Sequence, residues 1–193
     1  MHIGMPTEPK ELAKYYKEKF EKAKTIRQHF EDVFDDCYEY TMPMRETFKS
    51  KTIGERRDEK IFDETAVVGV QEFASRLQQG LVPNFARWAD FTAGSEIPES
   101  ERDAINNQLE EITEFVFEIL QNSNFAQEVH ESFMDLAVGT GVLYVSEGDA
   151  VNPITFSAIP LPHVVLDVGP NDNIDHVYRE RSVRYSDLHI LFP

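Results

Sequence analysis

Between Thr7 and Pro43, apolar side chains return every three or four positions: Leu12, Tyr16, Phe20, Ala23, Ile26, Phe30, Val33 and Cys37. That spacing puts them on one stripe of a single long helix. Thr7 can cap its start, and Pro9 is tolerated in the first turn. Pro43 stops it, because Met42, the residue before a proline, is pushed out of helical geometry. At ~1.5 Å rise per residue the rod is about 45 Å long. The chain has 193 residues, enough for one good-sized core or two small ones. Such a rod overhangs a core of that size, so part of it is expected to lie against another subunit.

Residues 44–61 are polar and charged and read as an extended arm or mobile loop. Lys49, Lys51, Arg56, Arg57 and Lys60 alternate there with Glu55, Asp58 and Glu59, which argues against a phosphate-binding patch. A helical region, 62–141, follows. Its first helix is capped at Asp63, turns Ala66, Val70, Phe73, Leu77 and Leu81 inward, and ends at Gly80 and Pro83. The segment 83–92 reads as a turn and a short strand, with the only tryptophan, Trp88, as a packing anchor. The next helix opens at Ser95–Glu99 and buries Ile105, Leu109, Ile112, Val116 and Ile119 or Leu120. Its Glu110, Glu114 and Glu118 share another face, where like charges cost a few tenths of a kcal/mol per pair unless solvent or a basic neighbour relieves them. Asn124 and Gln127 resemble a capping box for a fourth helix, which buries Phe125, Val129, Phe133 and Leu136 or Ala137.

After Gly139-Thr140-Gly141 the period switches from helical to extended. Strands are expected over 142–145, 154–159, 164–168 and 174–184, with a strong turn at 169–173 and a new helix cap at Ser186-Asp187. The expected class is α+β: several long amphipathic helices followed by an antiparallel β-sheet. The expected units are a long helix over 1–43, an arm over 44–61, a helical region over 62–141 and a β region over 142–193, cut short at Pro193.

Composition narrows the function. The formal net charge is −16, unevenly spread. Residues 1–60 are neutral, with 13 Lys+Arg against 13 Asp+Glu, while residues 61–150 carry 3 against 17. A chain charged this way cannot hold DNA by counterion release. Its acidic middle repels phosphate, meets a basic partner, or is simply a solvated face. Apolar runs fall short of the ~20 residues of a membrane span. The N-terminus has no apolar core segment of a secretory signal. The single cysteine, Cys37, excludes an internal disulfide framework and a thiolate metal cluster, and its spacing marks a small buried residue.

No catalytic, cofactor-binding or metal-binding residue is assigned, and no cofactor is expected. Gly139-Thr140-Gly141 runs from helix to strand, the reverse of a phosphate-cradling loop. Asp167, Asn171, Asp172, Asn173 and Asp175 offer oxygens to calcium, but the EF-hand order is missing and an Asx-rich turn explains them. His2, His29, His130, His163, His176 and His189 fall in separate elements without a zinc-site pattern. The chain is not expected to be an enzyme.

Several phrases occur in a telling order. Tyr40-Thr41-Met42-Pro43 closes the long helix, and Ile61-Phe62-Asp63-Glu64-Thr65-Ala66 follows the arm. Then come the run from Phe73 to Pro83, Trp88, Phe91-Thr92, Ser123-Asn124-Phe125 and the run from Gly139 to Tyr144. Last are Phe156, Ile159-Pro160, the run from Val164 to Asp167, and Val177-Tyr178-Arg179. Over about residues 10–190 the chain resembles the N-terminal portion of the portal, or head-to-tail connector, proteins of short-tailed phages. The resemblance implies a wing-like β region and a structural virion protein forming a ring, a dodecamer when complete, at one capsid vertex. It implies partners in capsid and scaffolding proteins, the packaging terminase, tail adaptors, and double-stranded DNA that passes through without sequence-specific binding. It further implies assembly in the host cytoplasm, no membrane, and no catalytic residues, the packaging ATPase being a separate protein. Such proteins continue past this point into a stem and clip. A second reading is a small acidic helical adaptor or scaffolding protein that binds a basic partner.

Overall fold

The computed structural model describes residues 6–49 and 61–191, so most of the expected arm lies outside the described residues. The order is α1 (Pro9–Thr41), α2 (Thr65–Leu81), α3 (Glu99–Asn122), α4 (Phe125–Val138), β1 (Leu143–Glu147), β2 (Ile154–Ala158), β3 (Val164–Val168), β4 (Ile174–Arg179) and α5 (Leu188–Leu191). The expected α+β class is present. The strands form two separate antiparallel pairs, β1 with β2 and β3 with β4.

The rod α1 has 33 residues. Pro9 sits in its first turn, and the N-cap is Glu8 rather than Thr7, with no side-chain cap. Its inner face differs in part from the apolar stripe. Tyr16 and Phe20 pack edge-on against His176 and Tyr178 of β4, with ring centroids 5.8 and 5.7 Å apart. Ala23 is buried, but Ile26, Phe30 and Val33 are 64%, 55% and 61% exposed. Cys37 is half-buried rather than buried. The reason is Arg27, which turns inward and donates from Nη1 to the Pro162 and Val164 carbonyl oxygens at 3.0 and 2.6 Å. Two carbonyls at the entrance to β3 thus favour a charged residue where hydropathy favours its apolar neighbour. Phe20→Glu is therefore expected to cost about 2–3 kcal/mol, the loss of a packed aromatic. In the unassembled chain Phe30→Glu is expected to change stability by less than about 0.5 kcal/mol. Urea unfolding of the two single variants distinguishes these effects; equal costs would contradict the inner face described.

Around Tyr38, Met42 and Leu161, all buried, pack Phe34, Phe48, Val70, Met134 and Val138, so the core lies where α1, α2 and α4 meet. On α2 the inner face is Val70, Ala74 and Gln78, while Phe73 and Leu81, expected inside, are largely exposed. Asp63 accepts the Thr65 N–H at 2.7 Å, one position before the N-cap Glu64.

Asn124 occupies the N-cap of α4, but its side chain makes no cap bond. Its amide brackets the backbone of Phe156 instead, donating to the carbonyl oxygen at 2.8 Å and accepting the N–H at 3.0 Å. The capping box is thus replaced by a staple between α4 and β2. Glu128 adds another, accepting the Ala158 N–H at 2.7 Å. At the far end Gly139 caps α4. A Cβ on Gly141 would lie 2.3 Å from the Ser132 carbonyl oxygen, so only glycine allows the chain to turn back this closely.

In the first hairpin Leu143 faces Ala158 and Val145 faces Phe156. In the second, Val164 faces Arg179, with an irregularity at Asp167/Val168, and Asp172 takes a φ of 58° in the turn. Asx residues adopt that conformation more readily than most. β4 ends at Arg179, short of the expected 184; a short helical turn at Tyr185–Asp187 then leads into α5. The strand expected within 83–92 is not formed.

Candidate functional site

The most tightly built polar cluster joins α1, the turn after it and α4. Tyr38 and Asp135 are both 0% exposed. The Tyr38 hydroxyl donates to Asp135 Oδ1 at 3.0 Å. Arg45 donates from Nε to Oδ1 at 3.1 Å and from Nη2 to Oδ2 at 2.5 Å, a two-pronged grip on one carboxylate. Its Nη1 reaches Glu131 Oε2 at 2.8 Å. Burial, then the Asp135 carboxylate, pushes the Tyr38 phenol far above its ordinary range. Burial pulls the Arg45 guanidinium the other way, but its bonds and charge pairing with Asp135 and Glu131 outweigh that and hold it above its usual value. A tyrosine kept protonated and a carboxylate already holding donors on both oxygens do not form a tuned acid/base pair. They form a fixed post.

A second post stands beside it. Asp35 Oδ1 accepts the Phe48 N–H at 2.8 Å. The Phe48 ring stacks on Phe34 at 5.8 Å, and the Arg27 guanidinium lies over it at 5.0 Å. Residues 44–49, expected to begin a free arm, are thus pinned to α1 and α4.

The helix α3 is strapped along one edge. Buried Thr113 accepts the Phe91 N–H at 3.2 Å, Asn106 accepts the Ala93 N–H at 2.8 Å, and Arg102 donates to the carbonyls of Ile97 and Ser95. Side chains thus take up backbone groups of Phe91, Ala93, Ser95 and Ile97, beside the segment 83–92 where a short strand was expected. Trp88 stacks on Phe125 at 6.1 Å and meets Phe117 edge-on at 5.3 Å, the anchor role read from sequence. Of the expected glutamate row, Glu110 approaches Arg87 at 3.5 Å. Glu114 and Glu118 are exposed, as is Glu111 beside them.

The residues weighed for chemistry are not brought together. His130 Nδ1 lies 3.1 Å from Gln78 Oε1, and His163 Nε2 lies 2.9 Å from Glu46. His176 Nδ1 is 3.5 Å from Asp167, which also faces Lys19 at 3.7 Å. His29 and His189 are exposed, and His2 lies outside the described residues. Among the described residues no three His, Cys, Asp or Glu side chains converge on a metal-sized site, the Asp167–Asp175 turn included. The sequence reading missed Arg45, Asp135 and Gln78. Gln78 donates to Asn84 Oδ1 at 3.0 Å and to the Ala126 carbonyl oxygen at 2.8 Å. The available signal was a polar residue on an apolar face: Asp135 falls on the same side of α4 as Val129 and Ser132.

The family model of bacteriophage head to tail connecting proteins matches residues 13–193. The chain belongs to that family, and it is a structural protein of the phage virion at the junction of capsid and tail. No curated protein matches it individually. Among the described residues no helix is long and apolar enough to cross a membrane.

Proposed function

We propose that the chain is the N-terminal portion of a portal-type subunit that closes into a ring at one capsid vertex. There it docks the packaging terminase, lets DNA through in both directions and receives tail adaptors, after assembling in the host cytoplasm with capsid and scaffolding proteins. It catalyses no reaction in this reading, and the packaging motor is a separate protein.

The observation that supports this best is the outward line of Ile26, Phe30 and Val33, each more than half exposed on α1. In a ring, a rod of this kind, about 50 Å long, can bury that line against the next copy, as symmetric assemblies do with repeated surface patches. The acidic stretch 61–150, with 17 acids against 3 cations, suits a wall past which DNA slides without sticking.

Native mass spectrometry and negative-stain images of the purified chain test the proposal. A ring-sized species with a central hole is expected. A monomer at every concentration would overturn it and favour the adaptor reading, for which the exposed Glu111, Glu114 and Glu118 speak; capture of a basic partner would then be the next measurement.

A further inference from the structure

The outer surface of α3 carries Ile112 and Phe115, 50% and 62% exposed, flanked along one side by exposed Glu111, Glu114 and Glu118. Among the described residues no cation pairs with these three glutamates; Arg87 is engaged by Glu110 and Asp90. Apolar side chains beside unrelieved like charges call for a cover that is itself apolar and cationic. The chain has such a surface just beyond β4. Arg181 and Arg184 are exposed and without an acidic partner among the described residues, and Tyr185 beside them is 90% exposed. The neighbouring acids are engaged elsewhere: Glu180 pairs with Lys24 at 2.8 Å, and Asp187 accepts the Ser186 hydroxyl at 2.9 Å.

We infer that α3 of one copy docks on the Arg181–Tyr185 segment of the next, with Ile112 and Phe115 against Tyr185 and the glutamates against the two arginines. The inference rests on the ring proposed above and says which surfaces close it. A head-to-tail contact joins two different patches and repeats around a ring, and this chain offers one patch of each sign. Ion pairs at the rim also make the contact weaken as salt rises.

Charge reversal in the full chain tests it, read by native mass, with circular dichroism to verify the fold. Glu114→Arg with Glu118→Arg, and separately Arg181→Glu with Arg184→Glu, are each expected to raise the concentration needed for assembly at least about tenfold. All four changes together are expected to bring it back to within about threefold of the parent. If the parent assembles and neither pair of changes matters, the docking surfaces are wrong and the ring stands. If both pairs abolish assembly and the fourfold variant does not recover, the two surfaces do not meet. A monomeric parent overturns ring and contact together. Should a reversal disturb folding, Phe115→Cys and Tyr185→Cys chains, each with Cys37→Ala, supply the second measurement: a disulfide between mixed chains is expected, and its absence overturns the contact.

Discussion

Asp135→Ala is expected to cost about 3–5 kcal/mol, because it removes both oxygens that grip the Arg45 guanidinium and leaves the buried Tyr38 hydroxyl without its acceptor. A domain of this kind has a total stability of roughly 5–15 kcal/mol, so the variant will be largely unfolded at modest urea. Glu131→Ala removes only the outer arm of the same cluster, from a side chain 33% exposed, and about 1 kcal/mol is expected. Replacing the inner partners together (Tyr38→Phe, Arg45→Met, Asp135→Leu) is expected to restore most of the loss, since matched apolar groups bury without a desolvation penalty. Equilibrium urea unfolding separates these outcomes. A cost below about 1 kcal/mol for Asp135→Ala would mean that the post does not hold the turn at 44–49.

Gly141→Ala is the second large effect. The added methyl must displace a main-chain carbonyl 2.3 Å away on α4, and about 2–3 kcal/mol is expected. Gly80→Ala is the matched control: nothing lies within 4 Å of its Cβ position on α2, so the change is expected to stabilise the chain by about 0.5–1 kcal/mol. Thermal midpoints moving in opposite directions would verify both; a stabilising Gly141→Ala would contradict the close return at the end of α4.

The four long helices and the four strands after Gly141 were legible in the sequence in type and order, since periods of three to four and of two differ over stretches this long. The β3 bounds of Val164–Val168 followed from an apolar run, broken only by Asp167, between turn signals. What hid was orientation. On α1 the inner line includes half-buried Arg27 and buried Asp35 and Tyr38, which hydropathy assigns to water; two carbonyl oxygens, the Phe48 N–H and the Asp135 carboxylate draw them in. Asn124 has the right neighbours for a capping box, yet the Phe156 backbone competes for the same amide from 32 residues away. Trp88 was legible as an anchor, but its strand was not formed; at its end the Phe91 N–H goes to Thr113 of α3 instead of to a neighbouring strand. The family was legible from the order of short phrases. The posts and faces that carry the proposed assembly were not, since each depends on pairs far apart in the chain.

Consider finally the order in which these parts leave the ribosome. Arg27 of α1 bonds the carbonyl of Val164, 137 residues later. At roughly 5–20 residues per second, α1, which ends at Thr41, is complete for about 6–25 s before the strand that covers it exists. The hairpin it awaits is a two-stranded pair, a unit with little stability of its own. During that interval both long sides of the rod, the one destined for β3 and the one bearing Ile26, Phe30 and Val33, are open to whatever is nearby. In the ring proposed above, the same rod on a neighbouring nascent chain would be one such surface, and the rate of translation would then help set whether a subunit finishes folding before it meets its first neighbour.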